Sequence, residues 1–226
     1  MNVGVLLTQS QQLQAARRRS DLMSVAAVVL AAGGSTRFGK PKQFALFQGE
    51  TFIKRIVAAA IEAGCAPVVV VTGEDSAQIT SELTQFAISI AMNPRWSSGL
   101  GSSIGVGVQR AMDLAADLDA SLLLTCDQPF VTAAVLAQII QLRLTSGKPI
   151  VASAYAGTLG IPALFDRSCF PTLLQLKGDR GAKGIILERQ HDVASFDFPA
   201  AEIDIDTAAD YEKLDQPLAG HATRSG

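Results

Sequence analysis

Apolar and polar positions fall into alternating blocks from Met23 onward. Val25–Ala31 is a continuous apolar run, the mark of a strand buried on both faces. A glycine-rich loop follows it. Residues 52–63 carry helical spacing and stop at Gly64. Residues 67–72 read as a second buried strand, 75–86 as a helix and 88–92 as a short strand. The spacing predicts a long helix over 101–118, with Ile104, Val108, Ala111, Met112 and Ala115 on one face. A strand over 121–125 and a helix over 133–144 complete the first half of the pattern. The second half is more mixed. Residues 150–154, 192–196 and 202–205 read as strands, and Thr207 would cap a last helix running to Leu214.

Strands alternating with helices predict an α/β domain with a mostly parallel central sheet. In such sheets ligands bind at the carboxyl ends of strands. No repeat or linker divides the chain, so one domain is expected over 23–215. Residues 1–22, rich in Gln, Ala and Arg, read as a loose extension or a frayed helix, and 216–226 as a disordered tail. Met23 runs directly into the first strand and is a candidate translation start.

Composition narrows the function. The chain is 48% hydrophobic and 18% charged, enough to fill a core. A formal net charge of −2 gives no global field for nucleic acid, so any phosphate must be held locally. Cys65, Cys126 and Cys169 lie far apart without C-x-x-C spacing, which argues against zinc or disulfides and fits a reducing, cytoplasmic setting. The apolar runs are too short for a membrane span, and the N-terminus lacks the order of a signal peptide.

The candidate chemistry starts at the loop Ala31-Ala32-Gly33-Gly34-Ser35-Thr36-Arg37-Phe38-Gly39-Lys40-Pro41-Lys42. Its glycines would let backbone N–H groups approach phosphate oxygens, and its cations would neutralise them. A tight turn with solvated charges is the plainer reading. Gly34 to Lys40 fits G-x-x-x-x-G-K, but Pro41 stands where a P-loop needs Ser or Thr for Mg2+. The glycine spacing also misses the dinucleotide fingerprint, and no clear acidic residue ends the second strand, which argues against a dehydrogenase.

The stretch LAAGGSTRFGKPKQ resembles the signature of MobA/MocA-like nucleotidyltransferases, the family of the molybdenum cofactor cytidylyl- and guanylyltransferases. Methyl-erythritol phosphate cytidylyltransferases share its general form. Four later stretches resemble the first group in the same order. They are Asn93 to Ser103, Thr125-Cys126-Asp127-Gln128-Pro129, Gly178-Asp179-Arg180-Gly181-Ala182-Lys183 and Asp204-Ile205-Asp206-Thr207. The resemblance implies a three-layer, Rossmann-like nucleotidyltransferase fold. It implies transfer of CMP from CTP, or GMP from GTP, to a molybdopterin-type phosphate, with a molybdoenzyme as possible recipient. Ala31-Ala32-Gly33 is similar to the cytidylyl members. Gly160-Ile161-Pro162 departs from the Gly-His-Pro common in relatives and leaves other phosphorylated acceptors open, 2-C-methyl-erythritol 4-phosphate among them. A non-catalytic nucleotide-binding module is the alternative from another class.

The resemblance also implies roles. Arg37, Lys42 and Asp127 would be catalytic. Ala31, Ala32, Gly33, Gly34, Ser35, Arg37, Lys42, Asn93, Gly101, Ser102 and Ser103 would hold the nucleotide. Gly160, Asp179, Arg180 and Lys183 would hold the acceptor, and Asp127 with Asp206 would bind Mg2+. Each has a structural reading beside the functional one. Asp127 could equally cap the next helix, Ser102 and Ser103 could cap theirs, and Gly178 to Gly184 could be a solvated loop. Trp96 could be packing. His191 and His221 have no catalytic setting. None is needed, because a phosphate-monoester acceptor is already ionised near pH 7.

Overall fold

β1 (Val25–Ala31) is the centre of the structure because each of its residues is buried, whichever face of the sheet it points to. Val25, Ala27, Val29 and Ala31 join one apolar cluster, and Ala26, Val28 and Leu30 join another. That period of two divides the domain into layers. The computed structural model describes residues 23–33, 41–178 and 180–202. Its other strands are β2 (Leu46–Phe47), β3 (Glu50–Thr51), β4 (Val68–Thr72), β5 (Ser89–Met92), β6 (Ala120–Thr125), β7 (Ile150–Tyr155), β8 (Thr158–Asp166) and β9 (Val193–Asp197). The helices are α1 (Phe52–Glu62), α2 (Ser76–Glu82), α3 (Leu100–Leu114), α4 (Ala133–Ser146), α5 (Phe170–Leu174) and α6 (Ala182–Glu188).

The main sheet has the order β5-β4-β1-β6-β8-β7-β9, and β2 pairs with β3 apart from it. β8 runs antiparallel to both of its neighbours, while β4–β5, β1–β4, β1–β6 and β7–β9 are parallel pairs. α1, α2 and α4 cover one face through Ile53, Val57, Ile79, Leu136 and Ile139. α3, α5 and α6 cover the other through Ile104, Val108, Phe170, Leu173 and Ile186. The expected α/β, three-layer, mostly parallel architecture is therefore present.

Gly107 sets how deeply α3 sits. A Cβ there would lie 2.3 Å from Val28 and 2.7 Å from Val71, so only glycine lets the helix press onto β1 and β4. The N-terminus of α3 is thereby brought to the carboxyl ends of those strands.

Several expectations need correction. The helix expected over 101–118 ends at Leu114: Ala115 is extended, and Arg167 takes the carbonyls of Ala116 and Leu118 in the turn that follows. The helix expected over 75–86 stops at Glu82. β8 was not expected, since Gly160 and Pro162 interrupt a strand pattern. Glu202, assigned to a strand, lies in a 3-10 turn (Pro199–Glu202). α6 begins at Ala182, so Ala182, Lys183 and Gly184 belong to a helix and not to a loop. Asp127 does not cap α4: Thr132 does, its hydroxyl accepting from Val135 N. Residues 1–22, the strand residues 203–205, the helix expected at 207–214 and the tail lie outside the described residues. No helix among the described residues is long and apolar enough to cross a membrane.

Candidate active site

β1 and β6 are parallel neighbours paired as far as Leu30 and Thr125, so the segments leaving the two strands emerge side by side. A cavity of about 320 Å³ opens there. Leu30 to Gly33 form one wall, Thr125 to Asp127 a second, and Trp96, Ser97, Gly99, Leu100 and Ser103 a third. Lys42 and Gln43 close it. This is the carboxyl-end crevice expected of a parallel sheet.

Lys42 reaches the cavity from the 3-10 turn Lys42–Phe44, which follows Pro41. Gln43, 1% exposed, fixes that turn by donating from Nε2 to Asp75 Oδ2 at 3.2 Å. Lys42 Nζ then donates to Asp127 Oδ2 at 2.6 Å. Both side chains are only 18% exposed, so the pair is partly screened from water.

Asn93 organises the opposite wall. It is fully buried and accepts from Arg95 N at 3.0 Å through Oδ1. Its Nδ2 donates to Ser102 Oγ at 2.9 Å and to Ser103 Oγ at 3.0 Å. Neither serine is the N-cap, which is Gly99 at φ 111°. Ser103 lines the cavity at the ends of β1 and β6, whereas Ser102 lines a groove on the outer side of α3. Gly101 lets α3 meet Lys177, Gly178 and Arg180: a Cβ there would lie 2.7 Å from Arg180 O. Trp96 serves both readings, packing on Gly73 and lining the cavity.

A second cavity, about 190 Å³, lies on the other side of Asp127. Gly160, Ile161, Tyr155, Gln128, Lys183 and Gly181 line it together with Leu100, Thr125 and Asp127. Leu100, Thr125 and Asp127 therefore face both cavities. Of the expected acceptor residues, Gly160 and Lys183 meet here. Arg180 instead pairs with Glu188 at an exposed position. Gly34, Ser35, Arg37, Asp179 and Asp206 lie outside the described residues.

Gln43, Gln128, Tyr155 and Leu100 escaped the sequence reading. Gln128 sat inside a motif already noticed, but nothing in its identity announced a buried amide. Cys126 is no nucleophile. Burial, followed by the charge of Asp127, pushes its thiol up to about 12.

Among the described residues no group of three His, Cys, Asp or Glu could hold a metal by itself. Asp127 supplies carboxylate oxygen and already carries a cation, the Lys42 ammonium. That donor set suits Mg2+, which commonly takes one or two carboxylates and completes its shell from phosphates and water.

Residues 27–193 match the model of the MobA-like NTP transferase domain. The chain belongs to that family. This MobA-like domain is 28% identical over 182 residues to nicotine blue oxidoreductase of Paenarthrobacter nicotinovorans, covering 75% of this chain and 85% of that one. It is 27% identical over 210 residues to the purine catabolism protein PucB of Bacillus subtilis, covering 85% and 96%. Neither name refers to molybdenum cofactor. Among solved structures, Mycobacterium tuberculosis Rv0371c superposes with a TM-score of 0.70 at 26% identity over 85% of this chain and 97% of that one. Rv0371c has also been solved in complex with manganese, with a TM-score of 0.67 at 25% identity over 85% and 98%. A nucleotidyl transferase from Methanothermobacter shares the fold, with a TM-score of 0.71 at 23% identity over 84% and 95%.

Proposed function

We propose that this MobA-like domain transfers CMP from CTP to the phosphate of a molybdopterin-type acceptor and releases pyrophosphate. GTP is the alternative donor, and another phosphorylated small molecule the alternative acceptor. One observation carries the reading: Asp127 borders two cavities at once. A transfer centre needs that arrangement, with donor and acceptor on either side of one anionic group.

The larger cavity takes the nucleotide. Ala31, Ala32 and Gly33 offer a backbone approach without side-chain bulk, and Ser103, oriented by Asn93, offers a hydroxyl to the base or ribose. Arg37 and Lys42 hold the triphosphate. The smaller cavity takes the acceptor, with Lys183 facing its phosphate. An acceptor phosphate oxygen attacks the α-phosphorus, the bond to the bridging oxygen breaks, and pyrophosphate leaves with that electron pair. No proton needs to move at the start, so the chemistry asks for no histidine beside Asp127. Asp127, with Asp206 as a second ligand, would hold Mg2+. The ion neutralises charge on the phosphates when bound. Lys42, now on Asp127, would turn to a phosphate oxygen. A molybdoenzyme is the corresponding recipient of the product.

A second reading has an observation of its own: one relative is named an oxidoreductase. The fold can then serve chemistry other than nucleotidyl transfer. The test is a thermal-stability panel with CTP, GTP, ATP and NADH, each with and without Mg2+. The transfer reading expects one triphosphate to stabilise the protein, and more so with the metal. Stabilisation by NADH alone supports the redox reading, and no triphosphate effect at any concentration rejects the transfer reading.

A further inference from the structure

The smaller cavity exists because β8 parts from its neighbours near Ile161. β8 pairs with β6 only as far as Ala163 opposite Leu123. Against β7, Ala163 faces Ala152 while Gly160 faces Ser153, so Ile161 and Pro162 have no register partner there. This is a bulge, which leaves backbone groups to be satisfied by other means. Two buried side chains satisfy them. Ser153 Oγ donates to Pro162 O at 2.7 Å, and Gln128 Nε2 donates to Ile161 O at 3.0 Å.

Gln128 does more than fill the bulge. It is 6% exposed, and its Nε2 also donates to Ala201 O at 3.2 Å, in the turn Pro199–Glu202. Both partners are carbonyls, so the amide can face them only with its N–H groups. Its Oε1 is left to Thr125 Oγ1 at a long 3.5 Å. One amide thus joins three segments: the end of β6, the bulge of β8 and the turn after β9. It stands next to Asp127 and lines the smaller cavity but not the larger.

We propose that Gln128 is a positioning residue that sets the width of the acceptor cavity between Asp127 and the Gly160–Ile161 edge of the bulge. It acts by clamping the bulge and the 199–202 turn to the end of β6. The catalytic half of this rests on the proposed transfer reaction; the clamp does not.

The experiment uses the full chain and the variants Gln128→Glu and Gln128→Leu. Three quantities are followed: backbone hydrogen exchange, the Kd of CTP with Mg2+, and kcat and KM for molybdopterin. Glu keeps the shape but, when ionised, has no N–H to offer two carbonyls. Exchange across 158–166 and 198–202 should quicken by roughly tenfold, with β1 and β4 unchanged. The acceptor KM should rise by about tenfold while the Kd of CTP stays within about twofold.

A CTP Kd that worsens in step with the acceptor KM would mean a general structural role and overturn the proposal. So would unchanged exchange at the bulge. If Gln128→Glu fails to fold, Gln128→Leu decides by the same exchange and KM-against-Kd criteria. Wild-type protein that makes no product rejects the transfer reading and the catalytic half with it. Exchange alone then judges the clamp, fast exchange at both segments supporting it and unchanged exchange rejecting it.

Discussion

Lys42 and Asp127 lie 85 residues apart in the chain and meet with Nζ 2.6 Å from Oδ2. The contact joins the segment after the glycine-rich loop to the end of β6, between the two cavities. It places a cation against the Asp127 carboxyl group, the position the proposed mechanism gives to a phosphate-bound metal. Asp127→Asn should therefore abolish the Mg2+-dependent part of CTP stabilisation, out of a total of about 2.7 kcal/mol at a hundredfold excess over Kd. The fold should be retained, because asparagine keeps the shape of the side chain and an oxygen that can accept from Lys42 Nζ. Thermal unfolding of both proteins with CTP, with and without Mg2+, checks this.

Asn93 is the next position to change. Asn93→Ala removes the donor shared by Ser102 and Ser103 and the acceptor of Arg95 N–H. Buried groups left without partners cost about 1–3 kcal/mol. Urea unfolding should report a loss in that range. CTP affinity should also fall by about tenfold, the equivalent of roughly 1.4 kcal/mol, because Ser103 lines the cavity.

The thiols give a pH prediction. Burial pushes Cys65 and Cys126 from the ordinary value of 9.0 up to about 12. Above pH 9 the unfolded chain loses these protons while the folded chain keeps them. Stability should thus be unaffected by these groups below pH 9 and fall between pH 9 and 12, by up to about 1.4 kcal/mol per pH unit per thiol. Cys65→Ala and Cys126→Ala should each flatten that alkaline slope, as measured by urea unfolding at stepped pH. A slope unchanged in both variants contradicts the assignment.

Ser121 lies in the middle layer of β6, fully buried, and its Oγ has no partner among the described residues. Ser121→Ala removes an unsatisfied hydroxyl without opening much space. The expected outcome is a stability gain of about 1 kcal/mol in urea unfolding, with no change in CTP affinity. A loss of stability would mean the hydroxyl has a partner after all.

The sequence was legible where periodicity is strong. β1 is an unbroken apolar run and β4 and β6 are nearly so, the mark of strands buried on both faces. Lys42, Asn93, Ser103 and Asp127 were named because their motifs carry them; Lys42, Ser103 and Asp127 line one cavity, and Asn93 holds Ser103 from behind. β8 was missed because Gly160 stands beside the bulge at Ile161 and Pro162, which reads as a turn when the partner strand is unknown. Arg180 looked available for an anion, but it pairs with Glu188 at the far end of α6, eight residues on, a pairing visible only in three dimensions. Gln128 was invisible for a related reason: its partners are backbone carbonyls, and no side-chain pattern encodes those.

The central claim is nucleotidyl transfer across Asp127, and pyrophosphate release tests it most directly. The purified protein is given CTP and Mg2+, with and without molybdopterin. The account predicts release that needs the acceptor, matches the acceptor consumed and is lost in Asp127→Ala. No release from any nucleoside triphosphate, or undiminished release by Asp127→Ala, would contradict it.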